Sequence, residues 1–190
     1  MTRADAAPGK LRIIGGSLRG SKIEIPDVPG LRPTPDRVRE TLFNWLMPVI
    51  EGAHCLDLFA GTGALGIEAL SRGAAAVNFV EANAQLADLL RANLARLHQS
   101  APVTRIDAMP FLASGDAHYD IAFLDPPFAA DLWSSAAQAL ETHERLAPGA
   151  WIYVEAPVDA VAQLPAGWDL HREGRAGGVR YALYRRSVKL

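Results

Sequence analysis

The chain has 190 residues, about half of them apolar, which is enough to bury a core and suits one domain with a small appendage. Its single cysteine, Cys55, excludes an internal disulfide and is typical of a reducing compartment, so we expect a soluble, cytoplasmic protein. The apolar runs are too short to span a membrane, and the five histidines lack the spacing of metal ligands. We therefore expect neither a membrane protein nor a metal site.

The net charge of −2 hides an uneven distribution. Lys and Arg outnumber Asp and Glu by eight to five in residues 1–40 and by six to one in residues 170–190, whereas residues 41–169 carry five basic and fifteen acidic side chains. Basic ends on an acidic body suit a phosphate backbone, because neutralising phosphates supplies much of the affinity for nucleic acid. Ordinary solvated termini would give the same counts, so charge alone leaves both interpretations open.

The first 50 residues predict a small extension followed by a helix. Short strands are expected at residues 10–14 and 21–25, and a loop punctuated by prolines follows. We expect Thr34 to be the N-cap of the helix, with Pro35 at its first position and Asp36 in its first turn. The chain is therefore divided into an N-terminal hairpin or arm, residues 1–35, and a main domain, residues 36–190.

The main domain alternates between strand-like and helix-like segments. Strands are expected at residues 54–59, 76–80, 103–106, 121–124 and 151–154, and helices at residues 64–72, 84–97 and 132–146. Residues 168–175 and 180–186 flank Gly177 and Gly178 and predict an antiparallel hairpin. The pattern indicates an α/β, Rossmann-like fold: a mostly parallel seven-stranded sheet with helices on both faces and a C-terminal hairpin.

A glycine-rich turn follows the first strand of this sheet. Gly61, Gly63 and Gly66 would allow the backbone to approach a ligand closely, and Glu81, after the next strand, can accept hydrogen bonds from ribose hydroxyls. Asp57 precedes the turn, and its carboxylate would attract the sulfonium and amino group of S-adenosylmethionine but repel a pyrophosphate. Asp107, after the third strand, can accept from an adenine amino group, act as a helix N-cap, or do both.

The fourth strand runs directly into Asp125, Pro126, Pro127 and Phe128. An exocyclic amine is a poor nucleophile, so it needs acceptors that hold its two hydrogens and aim its lone pair. The Asp125 carboxylate can take one hydrogen, and the Pro126 carbonyl, held by the restricted torsions of two prolines, can take the other. Phe128 could stack on a base turned out of its helix or loop. These four residues are the predicted catalytic site.

The chain resembles the RsmD family of bacterial 16S ribosomal RNA guanine-N2 methyltransferases, within the class I S-adenosylmethionine-dependent methyltransferases. The resemblance rests on the stretches 12–16, 18–20, 32–44 and 57–63, together with residues 125–128 as the amino-methylating motif. It implies the N2 amino group of guanine 966 as the target, within the small subunit or an assembly intermediate. Pro35 departs from the family, which more often has a small hydroxyl residue there.

Two groups of site residues follow from the motifs and the resemblance together. The residues assigned to S-adenosylmethionine are Asp57, Phe59, Ala60, Gly61, Thr62, Gly63, Glu81 and Asp107. The residues assigned to RNA are Arg12, Arg19, Lys22, Arg32, Arg37 and Arg39. Arg37 and Arg39 are two apart on a helix and point in nearly opposite directions, so at most one of them is expected to face the active site.

Three alternatives remain open from the residues. A DNA adenine-N6 methyltransferase would use the same four-residue motif, but the chain has no spare region for DNA recognition. An NAD-dependent oxidoreductase would explain the glycines and Glu81 but not residues 125–128. A non-catalytic RNA-binding assembly factor would retain the fold without needing intact Asp57 and Asp125.

Overall fold

The computed structural model describes residues 9–28, 31, 33–160 and 162–187, and it contains two sheets. The small sheet is an antiparallel hairpin of β1 (Gly9–Arg12) and β2 (Lys22–Ile25). The large sheet has seven strands in the order β5-β4-β3-β6-β7-β9-β8. Its strands are β3 (His54–Asp57), β4 (Ala76–Val80), β5 (Val103–Thr104), β6 (Tyr119–Leu124), β7 (Leu146–Pro157), β8 (Trp168–Ala176) and β9 (Val179–Arg186).

Strands β3 to β7 pair in parallel, and β9 and β8 add to the edge in antiparallel pairing. The helices are α1 (Asp36–Leu46), α2 (Ala64–Ser71), α3 (Ala84–Arg96), α4 (Ala108–Ala113) and α5 (Trp133–Thr142). Apolar residues of α1, α2 and α3 form one buried cluster, and those of α4 and α5 form another. The sheet therefore has helices on both faces, and the predicted fold is confirmed.

The start of α1 differs from the sequence prediction. Pro35 itself is the N-cap and has no side-chain capping bond, so the helix begins at Asp36 and the prediction of Thr34 as N-cap is wrong. The Thr34 hydroxyl instead donates to a carboxylate of β7, far away in sequence. Thr34 has the right residue type for a cap, and only the tertiary fold reveals that its hydroxyl has another partner.

The predicted last helix, residues 132–146, is also too long. Helix α5 ends at Thr142, and Glu144 takes a positive φ of 52° that terminates the helical path. Leu146 then begins β7, whose 12 residues extend well before the predicted start at residue 151. The buried guanidinium of Arg145 lies over the rings of Phe111 and Tyr119, and these tertiary contacts fix the chain where the helix gives way to the strand.

The hairpin is fastened to the large domain through Glu68 on α2. This fully buried carboxylate accepts hydrogen bonds from the backbone N–H groups of Ile14 and Gly15, at 2.9 and 2.8 Å. It also forms ion pairs with Arg39 and Arg72. A charge that is paired and hydrogen-bonded on all sides can be buried at tolerable cost. Glu68 therefore sets the position of the hairpin relative to the sheet.

No helix among the residues that the structure describes is both long enough and apolar enough to cross a membrane.

Candidate active site

The site lies where the sheet changes direction. The chain runs from β3 outward to β4 and β5, and then crosses back to β6, which pairs with the other side of β3. In open α/β sheets, ligands bind in the crevice at the carboxyl ends of the strands that flank such a switch point. Asp57 ends β3 and Asp125 directly follows β6, so the structure brings both predicted carboxylates to this crevice.

Asp57 braces the glycine-rich turn from within. It is 2% exposed, and its Oδ2 accepts a 3.0 Å hydrogen bond from the backbone N–H of Gly66 in the first turn of α2. Burial, opposed by this bond and assisted by the charge of Glu81, raises the pKa of Asp57 from 3.8 to about 7. A cationic ligand group beside the carboxylate would favour its ionised form.

A Cβ has no room at Gly63, which precedes α2, or at Gly66, in the first turn of α2. Gly63 has a φ of +79°, and a Cβ there would collide with Leu90, while a Cβ on Gly66 would collide with the ring of Phe79. These glycines therefore permit the tight turn and the close packing of α2 on the sheet, whereas their predicted close approach to a ligand stays a prediction.

Glu81 follows β4, the strand that pairs with β3, and its carboxylate holds the same turn. Its carboxylate accepts from the backbone N–H of Gly61 at 2.7 Å and from that of Asn83 at 2.8 Å. Each carboxylate oxygen can accept more than one hydrogen bond, so the side chain retains capacity for ribose hydroxyls. Asp107 is exposed at the start of α4 and makes no side-chain capping bond.

The other residues assigned to the cofactor belong to the turn between β3 and α2. Ala60 and Thr62 are buried, and Phe59 is half-buried against the second apolar cluster. Their position fits the assignment, and their contacts with a cofactor stay predictions.

The predicted catalytic residues lie at the end of β6. Asp125 is partly buried, and Pro126 is buried behind it. Burial and the nearby carboxylates of Glu155 and Asp57 hold the pKa of Asp125 well above its ordinary value. Within the described part of the chain, no group donates a hydrogen bond to the Pro126 carbonyl, whereas the Pro127 carbonyl accepts from Ala130.

Phe128 follows these residues and is half-buried. Its ring centroid lies 6.0 Å from that of Trp133, and the two planes are tilted by 51°. Trp133 is itself fixed, because its indole N–H donates to the backbone carbonyl of Glu155 at 2.7 Å. One side of the Phe128 ring is therefore supported by the core beside Asp125.

Sequence reasoning missed three residues around Asp125. Thr34 and Glu155 are buried, and the Thr34 hydroxyl donates to Glu155 at 3.1 Å while lying 3.4 Å from Asp125 Oδ2. The hydroxyl of Tyr153 donates to the same Glu155 oxygen at 2.9 Å. One signal could have found Glu155, since it follows an apolar strand segment just as Asp57, Glu81 and Asp125 do.

A basic groove leads toward this cluster. It has a volume of about 510 Å³, and its lining includes Lys10, Arg12 and Lys22 from the hairpin as well as Thr34 and Pro35. Lys10 and Arg12 are exposed on either side of the buried Leu11 in β1, and Arg12 pairs directly with Lys22 on β2. The period-two alternation of strands therefore places three cations on one face.

The basic residues assigned to RNA divide into three groups. Arg12, Arg19, Lys22 and Arg37 are exposed, so the structure leaves them accessible. Arg32 lies outside the described residues. The prediction for Arg39 is wrong, because its side chain is fully buried and donates to Glu68, Asp36 and the Arg12 carbonyl. Arg39 holds the hairpin against α1 and α2, whereas Arg37 on the same helix is exposed to solvent.

Comparison with known proteins identifies the family. The family model described as "Conserved hypothetical protein 95" matches residues 11–185. A protein of Escherichia coli K12 named "Ribosomal RNA small subunit methyltransferase D" is 51% identical over 183 residues, which cover 95% of this chain and 92% of that one. The chain belongs to the RsmD family. The relative of the same name from Haemophilus influenzae is 45% identical and covers 94% of this chain and 95% of its own.

A solved structure supports the same assignment. The Escherichia coli protein yhhF superimposes with a TM-score of 0.89 at 48% identity, covering 95% of this chain and all of that one. The predicted RsmD membership and the methyltransferase class are thereby confirmed, and S-adenosylmethionine is the methyl donor of that class. Among the described residues, no three His, Cys, Asp or Glu side chains are grouped as a metal would require.

Proposed function

We propose that the chain transfers the methyl group of S-adenosylmethionine to the exocyclic N2 amino group of a guanine in 16S ribosomal RNA. Membership of the RsmD family supports ribosomal RNA as the substrate class. The resemblance in sequence supports guanine 966, within the small subunit or its assembly intermediate. The observation that carries the proposal is the Asp125 carboxyl beside the Pro126 carbonyl, at the end of the strand that pairs with that of Asp57.

The residues of the crevice fit the methyl donor. S-adenosylmethionine supplies a methyl group that is already activated on a sulfonium. Asp57 offers a buried negative charge for the cationic end of that molecule, and the glycines of the turn would let its backbone lie close to the ligand. Glu81 would accept the ribose hydroxyls, and Asp107 is accessible to the adenine amino group.

The role of Asp125 is to hold and aim the target amine. Its carboxylate accepts one N–H, and the Pro126 carbonyl accepts the other, so that the nitrogen lone pair points at the methyl carbon. Holding two reactants in line contributes a large part of the rate, because it replaces a random encounter by a fixed geometry. Phe128, supported by Trp133, would stack on the base that carries the amine.

The basic groove supplies a route for the RNA. We propose that the arm, residues 1–35, binds the phosphates next to the target nucleotide through Arg12 and Lys22, with Lys10 beside them. Since the groove reaches Thr34, which contacts Asp125, RNA held on the hairpin would present a flipped base to the catalytic residues. Arg19 and Arg37 are exposed and extend the proposed contact surface.

A labelling experiment tests the proposal. The purified protein is incubated with methyl-labelled S-adenosylmethionine and, in parallel, with unmodified small subunits, naked 16S RNA and DNA, and the labelled nucleoside is identified after digestion. N2-methylguanosine from the ribosomal samples is the expected product. Label confined to N6-methyladenine in DNA would support the DNA methyltransferase alternative instead. An absence of label in all three would contradict the proposal and favour a non-catalytic assembly factor.

A further inference from the structure

A second buried carboxylate lies directly behind Asp125. Glu155, near the end of β7, is 5% exposed, and its Oε2 accepts from the hydroxyls of Thr34 and Tyr153. The Thr34 oxygen is 3.1 Å from this Glu155 oxygen and 3.4 Å from Asp125 Oδ2. One buried hydroxyl thus stands between two acid side chains.

The number of hydrogens limits how this cluster can be protonated. A threonine hydroxyl has one hydrogen to donate, and it can also accept. If the Thr34 hydroxyl donates to Glu155, it can bond to Asp125 only by accepting a hydrogen bond from a protonated Asp125. Tyr153 also donates to Glu155, which favours an ionised Glu155. The arrangement therefore suits two carboxyl groups that share one proton through Thr34.

We propose that Thr34 and Glu155 are positioning residues that aim the Asp125 carboxylate and take up, through the Thr34 hydroxyl, the proton that the target amine loses. The inference rests on the proposed role of Asp125 in holding that amine. It assigns a function to Glu155 of β7 and to Thr34 before α1, neither of which was given a part in the reaction by the motifs or the family resemblance.

The proton is accounted for as follows. The amine lone pair forms the new N–C bond while the C–S bond breaks, and its electron pair stays on sulfur as a neutral thioether. The methylated nitrogen, now cationic, gives one proton to Asp125. Asp125 passes a proton to the Thr34 oxygen as the Thr34 hydrogen moves to Glu155. Asp125 is then ionised again and Glu155 is neutral, and the cofactor has lost its sulfonium charge.

Burial and the neighbouring acidic side chains favour retention of a proton on Asp125, and the hydrogen bond from Thr34 opposes it. Asp57 from β3 raises the pKa of Asp125 together with Glu155, and burial is the largest cause. Tyr153 faces both carboxylates, and burial together with their charges raises its pKa, so its phenol stays protonated beside them; Tyr181 from β9 also faces Tyr153. The positive charge of a bound sulfonium would offset this accumulation of negative charge, so the shared proton would pass to solvent when the cofactor binds and leave both carboxylates ionised before the amine reacts.

Substitution of the bridging hydroxyl gives the first test. Thr34→Val removes the hydroxyl at nearly constant shape and should lower the single-turnover rate of methyl transfer by about ten- to a hundred-fold, with cofactor affinity unchanged. Thr34→Ser restores a hydroxyl and should recover most of that rate. Thr41→Val is the matched control, because among the described residues the Thr41 hydroxyl bonds only to the backbone carbonyl of Arg37 on α1. Equal rates in Thr34→Val and the wild type would overturn the proposal, as would equal losses in the Val and Ser variants.

Glu155→Gln gives the second test, because glutamine still accepts from Thr34 and Tyr153 but cannot take up a proton. Removing this negative neighbour lowers the pKa of Asp125, so the acid limb of the rate-versus-pH profile should move to lower pH, while the plateau falls about ten-fold. A purely structural role would lower stability and leave the profile in place, and that result would overturn the proposal. The labelled nucleoside made by the wild type tests the proposed function separately. The rates of the variants relative to the wild type can be measured on whichever amine is methylated, so the two proposals can fail independently.

Discussion

Binding of S-adenosylmethionine should depend on pH through Asp57. The pKa of this buried carboxyl is about 7, so only about one tenth of it is ionised at pH 6. If the cationic ligand binds the ionised form, its affinity should rise about ten-fold per pH unit below about pH 7 and level off above that pH. Calorimetric titration from about pH 5 to about pH 8 measures this directly. Asp57→Asn retains an oxygen for the Gly66 N–H and should bind more weakly, without the slope. A flat wild-type profile, or the same slope in Asp57→Asn, would refute the reasoning.

The raised pKa of Asp57 should also make the free energy of unfolding depend on pH. A folded pKa above the unfolded value means that stability is fully present below pH 3.8 and is lost as pH rises through about 7. The change from 3.8 to about 7 corresponds to about 4 kcal/mol of unfolding free energy. Chemical denaturation of the ligand-free protein should show this loss in the wild type relative to Asp57→Asn. Parallel pH dependence of the two proteins would contradict the assignment.

Three further predictions follow from contacts around the crevice and the hairpin. Glu81→Ala should weaken cofactor binding about ten-fold in calorimetry, by loss of the ribose acceptor and of the brace on the turn; unchanged affinity would exclude the ribose contact. Glu68→Ala leaves the Arg39 charge buried beside fewer partners and should cost about 3–5 kcal/mol in chemical denaturation, whereas a loss no larger than that of a surface substitution would count against the fastening role. Arg12→Ala and Lys22→Ala should each weaken RNA binding. Each should also reduce the slope of log affinity against log salt concentration by the amount that corresponds to about one phosphate contact, and an unaltered slope would place the RNA elsewhere.

The sequence predicted best those features that depend on local pattern. Alternating apolar segments located β3, β4 and β6, and the carboxyl end of each carries a predicted site residue: Asp57, Glu81 and Asp125. The Rossmann-like topology then follows from the rule that parallel strands of one sheet present their ends at a common edge. Site residues of this kind can therefore be predicted without knowledge of contacts between distant parts of the chain.

The errors arose where one side chain had a choice of partners. Thr34 is a good N-cap by residue type, yet its hydroxyl bonds to Glu155 on a strand more than a hundred residues away. Arg39 resembles any solvent-facing helix arginine, yet it is buried against Glu68 and the hairpin backbone. The register of α1 on the sheet decides both outcomes, and no local pattern specifies that register.

The central claim is a division of labour in which Asp57 and Glu81 bind the methyl donor and Asp125 delivers the amine. The most direct test measures the single-turnover methylation rate and the S-adenosylmethionine Kd together for Asp125→Ala. The account predicts a rate lower by at least about a hundred-fold with an essentially unchanged Kd. A folded Asp125→Ala protein that loses cofactor binding to the same extent as activity, or that methylates at the wild-type rate, would contradict it.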